Sequence, residues 1–390
     1  MRRIRLLFLL NGAGIAVFAP FASVILVGRG FDAASIGVLS ALTSVAFVVS
    51  VSVWGHLGDV VLGRARALRY AILGTAGLLV VFLLPLPPVV SAAAYVAYAA
   101  CYGAVGPLSD ALAVNAMRDP GKQYGRVRGM LSAGFAIAAV GAGILYGVVG
   151  YAPAGFFFVA IAVAIALVAG GLPDLGRAQL SANRRGGAIR EALHLQPRLP
   201  RALVAIAVAH VGVFAGLTFL PLRIVELGGG PPQIAFSSAT AATVEVVAMV
   251  VAGRLASRIG IRTLFSVSCL LLAVSFASWG LAGSPTAIIA TRAVSGIAYS
   301  GLWISCVLTV QALLPARLQG SGQALISITT AGAAAFLANL GGGLVYANAG
   351  AGALFAVAAL FPAAAAIIGW WVLPRRQPRR VIAGGATASG

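Results

Sequence analysis

Apolar residues in this chain do not alternate with polar ones. They run in blocks of about 20, the length a helix needs to cross the hydrocarbon core of a bilayer. The pattern predicts twelve spans, at residues 5–28, 34–56, 69–86, 90–117, 124–149, 152–172, 200–226, 234–257, 263–282, 286–313, 318–345 and 349–373. The connections are short and carry turn chemistry, as in "PLPP", "GYAPAG", "GGGPPQ" and "GSPT". A transmembrane barrel is excluded, because its strands are alternating segments of about 10 residues. The predicted fold class is all-α, a polytopic membrane protein.

Composition agrees. Of 390 residues, 61% are hydrophobic and 9% charged, against about a quarter charged in a soluble domain, and the mean hydropathy is +1.01. The net charge of +19 would suggest nucleic acid if the basic residues were not confined to alternate loops. Arg2, Arg3 and Arg5 precede the first span, and Arg64, Arg66 and Arg69 follow the second. Arg118, Lys122, Arg126 and Arg128 surround the next such turn. Arg177, Arg184, Arg185, Arg190, Arg198 and Arg201 come next, then Arg258 and Arg262, then Arg317, and finally Arg375, Arg376, Arg379 and Arg380. The opposite loops hold only Arg29. This is the positive-inside distribution, which places both termini in the cytoplasm and makes the span count even. The opening "MRRIRLLFLLNGAGIAVFA" has the look of a signal peptide, but the segment has an internal counterpart and is expected to be retained. Cys101, Cys269 and Cys306 all fall within spans and form no disulfide framework.

That counterpart belongs to a repeat. "FAPF" at 18–21 recurs as "FLPL" at 219–222, "GHLGD" at 55–59 aligns with "GRLAS" at 253–257, and Gly141, Gly143, Tyr146 and Gly150 align with Gly341, Gly343, Tyr346 and Gly350. Two six-helix halves of like orientation follow: 1–172, then a cytoplasmic linker at 173–199 with a short surface helix, then 200–373 and a basic cytoplasmic tail at 374–390. Parallel repeats of six spans are the layout of one large transporter class.

Along its whole length the chain resembles the major facilitator superfamily. The loop "GHLGDVVLGR" is similar to that superfamily's signature between its second and third helices, through Gly55, Leu57, Asp59, Gly63 and Arg64. One extra residue separates Asp59 from Gly63, and no arginine directly follows the aspartate. A finer resemblance, to the branch containing lactose permease and the phenylpropionate and nucleoside permeases, rests on "PLSDALAV" at 107–114, "YGRVRGMLSAGF" at 124–135 and "LPARLQGSGQAL" at 314–325. The resemblance implies that Asp59, with Gly55, Gly63 and Arg64, gates the cytoplasmic side by sitting against helix ends of the facing half. A carboxylate at a helix N-terminus gains roughly 0.3–1 kcal/mol, enough for a reversible latch. Topology and solvation alone are the competing explanation of these charges.

Ionisable groups inside spans cost at least about 2.5–3.5 kcal/mol and usually face a partner or a cavity. Asp110 on the fourth span and Arg128 on the fifth lie at similar depth in an antiparallel hairpin and are expected to pair. The resemblance to lactose permease implies a substrate-site role for them; an ion pair that merely locks the hairpin is the alternative. Tyr95, Tyr98 and Tyr102 share a face of the fourth span, and Arg292, Ser295, Tyr299, Trp303 and Cys306 repeat the arrangement on the tenth. In the superfamily, spans one, four, seven and ten line the cavity, so Tyr98, Tyr102, Arg292, Tyr299 and Trp303 are candidate substrate contacts, suited to a ring or an anionic group; helix packing is the alternative. Glu245, near the middle of the eighth span, has no basic residue beside it in its own helix. Such a carboxyl is suited to carrying a proton, and His210 on the seventh span is a candidate to share it, with a hydrogen-bonded packing histidine as the alternative. The glycines of the fifth span, including Gly143 and Gly147 in GxxxG spacing, are expected to pack against the other half.

The expected function is secondary active transport of a small organic solute across the cytoplasmic membrane by alternating access, as a proton symporter. Proton-driven efflux of drugs or amphiphiles, and a non-transporting sensor or scaffold, stay open. No catalytic grouping, phosphate loop or metal-ligand cluster is present in the sequence, so an enzyme is not expected. Expected partners are a small-molecule substrate, protons and membrane lipid, with no cofactor, metal or nucleic acid, and the working unit is expected to be a monomer.

Overall fold

The computed structural model describes the backbone of residues 1–117, 120–172 and 182–375, and within these the side chains of all but 120–125 and 182–187. The side chains of Arg118, Lys122, Arg177, Arg184, Arg185, Arg376, Arg379 and Arg380 therefore lie outside the described residues. Every regular element described is helical. The first bundle comprises α1 (Arg2–Gly28), α2 (Ala33–Val61), α3 (Arg64–Leu83), α4 (Pro88–Ala116), α5 (Pro120–Val149) and α6 (Ala154–Gly170). The second comprises α7 (Arg198–Glu226), α8 (Pro231–Ile259), α9 (Ile261–Leu281), α10 (Pro285–Leu313) and the run Ala316–Val372, which reverses at Gly350 (φ 78°, ψ 177°) into α11 (316–349) and α12 (351–372). Among the described residues ten helices are long and apolar enough to cross a membrane; the last counts twice because of that reversal, and the shorter α6 completes twelve.

Several helices outrun their apolar blocks. Arg64 and Arg66, expected in the loop before residue 69, occupy the first turn of α3, because an arginine stem lies along apolar surface while its head reaches water. α2 likewise continues past 56 through a π-helical segment, Leu57–Val61. A π turn takes up one residue more than an α turn, and this one accommodates the extra residue between Asp59 and Gly63.

The repeat is written in the backbone. The positive-φ glycines pair across the halves: Gly30 (85°) with Gly228 (83°), Gly63 (84°) with Gly260 (88°), and Gly150 (74°) with Gly350 (78°). Each pair turns the chain at equivalent points, where a side chain would strain the left-handed backbone.

Within the first bundle α1 packs on α5 and α6, α3 on α4 and α6, and α2 on α4; in the second, α7 packs on the α11–α12 run, α9 on α10 and α12, and α8 on α10. Small residues set these crossings. A Cβ on Gly12 would collide with the Leu131 carbonyl oxygen, and one on Gly134 with that of Leu9, so α1 and α5 cross backbone to backbone. The helix Ala182–Leu195 caps the second bundle, packing on α7 and the start of α11, with Arg317 to Glu191 at 2.5 Å.

The halves meet through α2 with α11 and through α5 with α8. Both contacts tighten at the face opposite the chain termini, the far face. A Cβ on Gly37 would lie 2.7 Å from Gly343 Cα, and one on Gly143 would collide with Ala235 Cβ, with Pro232 against Gly147. Asn339 of α11 adds a polar bridge: its Nδ2 donates to the Ser40 carbonyl and Ser44 Oγ of α2, each at 3.3 Å, while its Oδ1 accepts from Thr218 of α7 at 2.7 Å. Toward the termini face the halves part. There α8 is buried only at Ala248, Ala252 and Ala256, the last two against Leu264, Ile304 and Leu308 of its own bundle. Hydrogen bonds between membrane helices contribute about 0.6 kcal/mol each, and the two to Ser40 and Ser44 cross between the halves, so Asn339→Leu should weaken far-face closure by about 1 kcal/mol. A cysteine placed at the buried Ser40 is then expected to react several-fold faster with a thiol reagent; unchanged reactivity would mean the glycine crossings alone hold the face shut.

Arginines clamp the far ends. Arg29 of α1 donates to the Leu84 carbonyl at the end of α3, and Arg223 of α7 donates to the Gly280 and Ala282 carbonyls at the end of α9, at 3.2 and 3.1 Å. Arg223 also meets Glu226 at 3.4 Å, and Glu226 accepts from the Tyr346 hydroxyl at 2.5 Å.

Candidate functional site

On the first-bundle wall, α4 is two pieces, Pro88–Tyr102 and Val105–Ala116, offset at Gly103. The second piece carries Asp110 toward α5. Arg128 Nη1 lies 3.1 Å from Asp110 Oδ1 and 3.4 Å from Oδ2, so the hairpin pair expected from the sequence is made. The side chains keep 49% and 35% of their exposure, Arg128 first, which places the pair at a small pocket with Tyr102 rather than in the core. Asn11 of α1 and Ser109 of α4 sit beside it, bonded to each other at 2.8 Å.

The tyrosine stripe divides. Tyr98, expected on the cavity wall, is only 9% exposed and belongs to the aromatic core: it stacks between Tyr95 and Tyr102 at 6.2 and 5.5 Å and meets Phe18 and Phe158 edge-on at 5.4 and 6.1 Å. Aromatic faces on α1 and α6, invisible to the periodicity of α4 alone, draw it inward. Tyr102, a turn closer to Asp110, lines the pocket with Asn11 and Arg128.

On the second-bundle wall, Arg292 is held on three sides. Its Nε donates to the Ser237 carbonyl at 3.3 Å, its Nη1 to Ser295 Oγ at 3.0 Å, and its guanidinium lies 5.3 Å from the centre of the Trp279 ring. Glu245 of α8 is near enough for its charge to act on both Arg292 and Tyr299. Among the described residues the Glu245 carboxylate makes no ion pair; the cation whose charge reaches it is Arg292 of α10, of which the α8 sequence gives no sign. Tyr299 and Trp303 stack at 6.5 Å along the same helix. His210 stands apart: it is buried, its Nδ1 donates to the Ile206 carbonyl of its own helix at 2.8 Å, and no hydrogen bond or ion pair among the described residues joins it to Glu245. That geometry is one of packing, not of proton sharing with Glu245.

At the mouth, Asp59 leaves the π segment of α2 and meets Arg64 Nε at 2.8 Å. Gly63, with its positive φ, makes the intervening turn. A Cβ on Gly58 would press on Leu108 at 3.0 Å, whereas one on Gly55 would meet nothing. In this state the Asp59–Arg64 contact lies within the first bundle. Sequence reasoning passed over Asn11, Asn339 and the Arg223–Glu226 pair. Each was visible as a polar residue within an apolar block, in "LLFLLNGAG", "FLANLGGG" and "LPLRIVEL".

Two six-helix bundles of membrane-spanning length that meet along α2–α11 and α5–α8, with ionisable side chains inside their spans, have the layout of a membrane transporter. The model of the MFS_1 like family matches residues 1–357, and the chain belongs to that family. It is 28% identical over 365 residues to the maltose permease of Geobacillus stearothermophilus, covering 90% of this chain and 88% of the permease. Among solved structures it superposes on a point mutant of the nucleoside transporter NupG with a TM-score of 0.80 at 16% identity, covering 94% of this chain and 97% of that one. An auto-inhibited POT family peptide transporter gives 0.71 at 12% identity, covering 95% and 96%. These relatives are transporters rather than enzymes, and so is this chain.

Proposed function

We propose that the protein is a proton-coupled symporter that brings a small organic solute across the cytoplasmic membrane by rocking of bundle 1–172 against bundle 200–373. The linker 173–199, the tail from 374 and both termini are cytoplasmic in this reading, so the open face is the inward one. The observation that carries it is the placing of an acid and a base in each bundle, Asp110 with Arg128 and Glu245 beside Arg292. A proton taken up by Glu245 leaves Arg292 charged, but the Ser237 carbonyl, the Ser295 hydroxyl and the Trp279 ring still hold that guanidinium, so the wall tolerates the protonated acid. The likeness to a maltose permease supports import of a polar solute.

The test is uptake into proteoliposomes of maltose and of uridine, with and without an imposed gradient, acid outside. Accumulation above the external concentration only with the gradient is expected. Equal uptake without it would overturn coupling, and gradient-driven extrusion of a lipophilic cation would replace symport with efflux.

A further inference from the structure

We propose that the termini-face corner between α9 and α12 is a headgroup site for an anionic phospholipid, built from Arg258, Arg262 and Arg375 and bordered by Trp370 and Trp371. The inference goes beyond the transport reading and needs only that the chain spans a membrane.

The chain after α12 brings these cations together. It folds back over Gly260, where a Cβ would collide with the Arg375 carbonyl oxygen, and the positive φ of Gly260 (88°) turns α8 into α9 at the same point. Arg258 precedes that glycine by two residues and Arg262 follows it by two. Arg262 spends one of its five donors on the Trp370 carbonyl, at 2.5 Å, and its guanidinium lies 4.8 Å from the centre of the Trp370 ring. Arg258 and Arg375 are exposed, and neither makes an ion pair among the described residues.

No acid of this half is placed to neutralise them. From residue 200 onward the only acidic side chains are Glu226 and Glu245. The first is held at the far face by Arg223 and Tyr346, and the second lies in mid-span near Arg292. The repeat shows what is missing. Asp59 of the first half, which meets Arg64 at 2.8 Å, aligns with Ser257 of the second, whose hydroxyl donates to the Arg254 carbonyl at 2.6 Å. Like charges gathered without a counter-charge repel one another, and an anion from outside the chain relieves them.

The surroundings select a lipid over a free anion. Trp370 and Trp371 keep 45% and 79% of their exposure, as tryptophans do at the level of the headgroups. From there toward the far face, Val267 and Leu270 of α9 and Ile367 of α12 are exposed, which offers apolar surface to acyl chains. A headgroup phosphate accepts from the unspent donors of Arg262, and a basic pocket between helix ends is a general form of anionic-lipid site. A zwitterionic lipid brings a cation of its own to the same arginines and is disfavoured.

The experiment titrates the purified full-length protein, in neutral detergent, with phosphatidylglycerol, phosphatidylcholine or inorganic phosphate and reads the melting temperature. Phosphatidylglycerol should raise it saturably, and the other two should not. Arg258→Gln combined with Arg375→Gln should leave the unliganded melting temperature unchanged and raise the half-saturating phosphatidylglycerol concentration about twentyfold, roughly fivefold for each cation removed. Arg190→Gln combined with Arg198→Gln, an equal loss of charge elsewhere on the same face, should change it by less than about twofold. A second readout does not depend on these variants: phosphatidylglycerol with brominated chains should quench tryptophan fluorescence more than brominated phosphatidylcholine, and Trp371→Phe should remove part of that difference. Undiminished phosphatidylglycerol affinity in the first double variant, an equal loss in the second, or equal stabilisation by phosphatidylcholine would each overturn the headgroup site. Stabilisation by inorganic phosphate at the same concentrations would overturn it too, leaving an anion site without a lipid. None of these outcomes bears on coupling, which gradient-driven uptake decides separately.

Discussion

Glu245→Gln should separate exchange from accumulation: counterflow of solute persists within about two- to threefold of wild type, while uptake driven by a pH gradient is lost. Glutamine imitates the protonated carboxyl, so a carrier that needs only that form still rocks when loaded, but no proton can be released inside to complete a coupled cycle. The surroundings of Arg292 make this variant informative. When its acidic neighbour is neutralised, the guanidinium keeps the Ser237 carbonyl, the Ser295 hydroxyl and the Trp279 ring, so the bundle should still fold. Counterflow and gradient-driven uptake in one liposome preparation decide the matter. Retention of both would remove Glu245 from the coupling step.

The second large effect is expected at the other wall. Asp110→Asn and Arg128→Gln should each lower uptake by more than about tenfold while moving the melting temperature little. Stranding one member of a fully buried pair costs about 3–5 kcal/mol, but this pair retains a third to a half of its exposure, and the penalty for such groups falls toward about 1 kcal/mol. The double variant should restore what stability was lost and leave uptake low, because the polar hands on the solute are still missing. Uptake and thermal unfolding on all three variants provide the check: a single variant that transports normally would make the pair a lock on the hairpin and nothing more.

How much of this was legible beforehand follows from what each signal depends on. Spans depend on local hydropathy, and the twelve blocks read from the sequence became twelve helices. Their ends depend on where arginine heads reach water, so α3 began several residues before its apolar block, at Arg64. The Asp110–Arg128 pair depends on one antiparallel hairpin and was readable. The cation whose charge reaches Glu245 lies 47 positions along the chain, at Arg292, on a helix whose rotation hydropathy does not determine. Tyr98 shows the same limit: its helical face was right, but what packs on that face comes from Phe18 of α1 and Phe158 of α6. Asn11 was missed because charged residues dominate the polar signal within spans, although an uncharged amide in an apolar block also needs its partners accounted for.

The far-face arginines bear on how the chain is made. In the proposed orientation, Arg29 and Arg223 are cations that must cross the bilayer, against the bias that orients the helices. What satisfies them is synthesised later: Arg29 binds a carbonyl 55 residues downstream, and Arg223 binds carbonyls 57 and 59 residues downstream. The first half thus begins translation with a translocated charge whose acceptor arrives only when its third helix has been inserted, whereas Arg223 has Glu226 of its own helix beside it from the start. The opening hairpin of the first half is therefore a provisional state during biogenesis, completed when its third helix supplies the carbonyl that Arg29 holds.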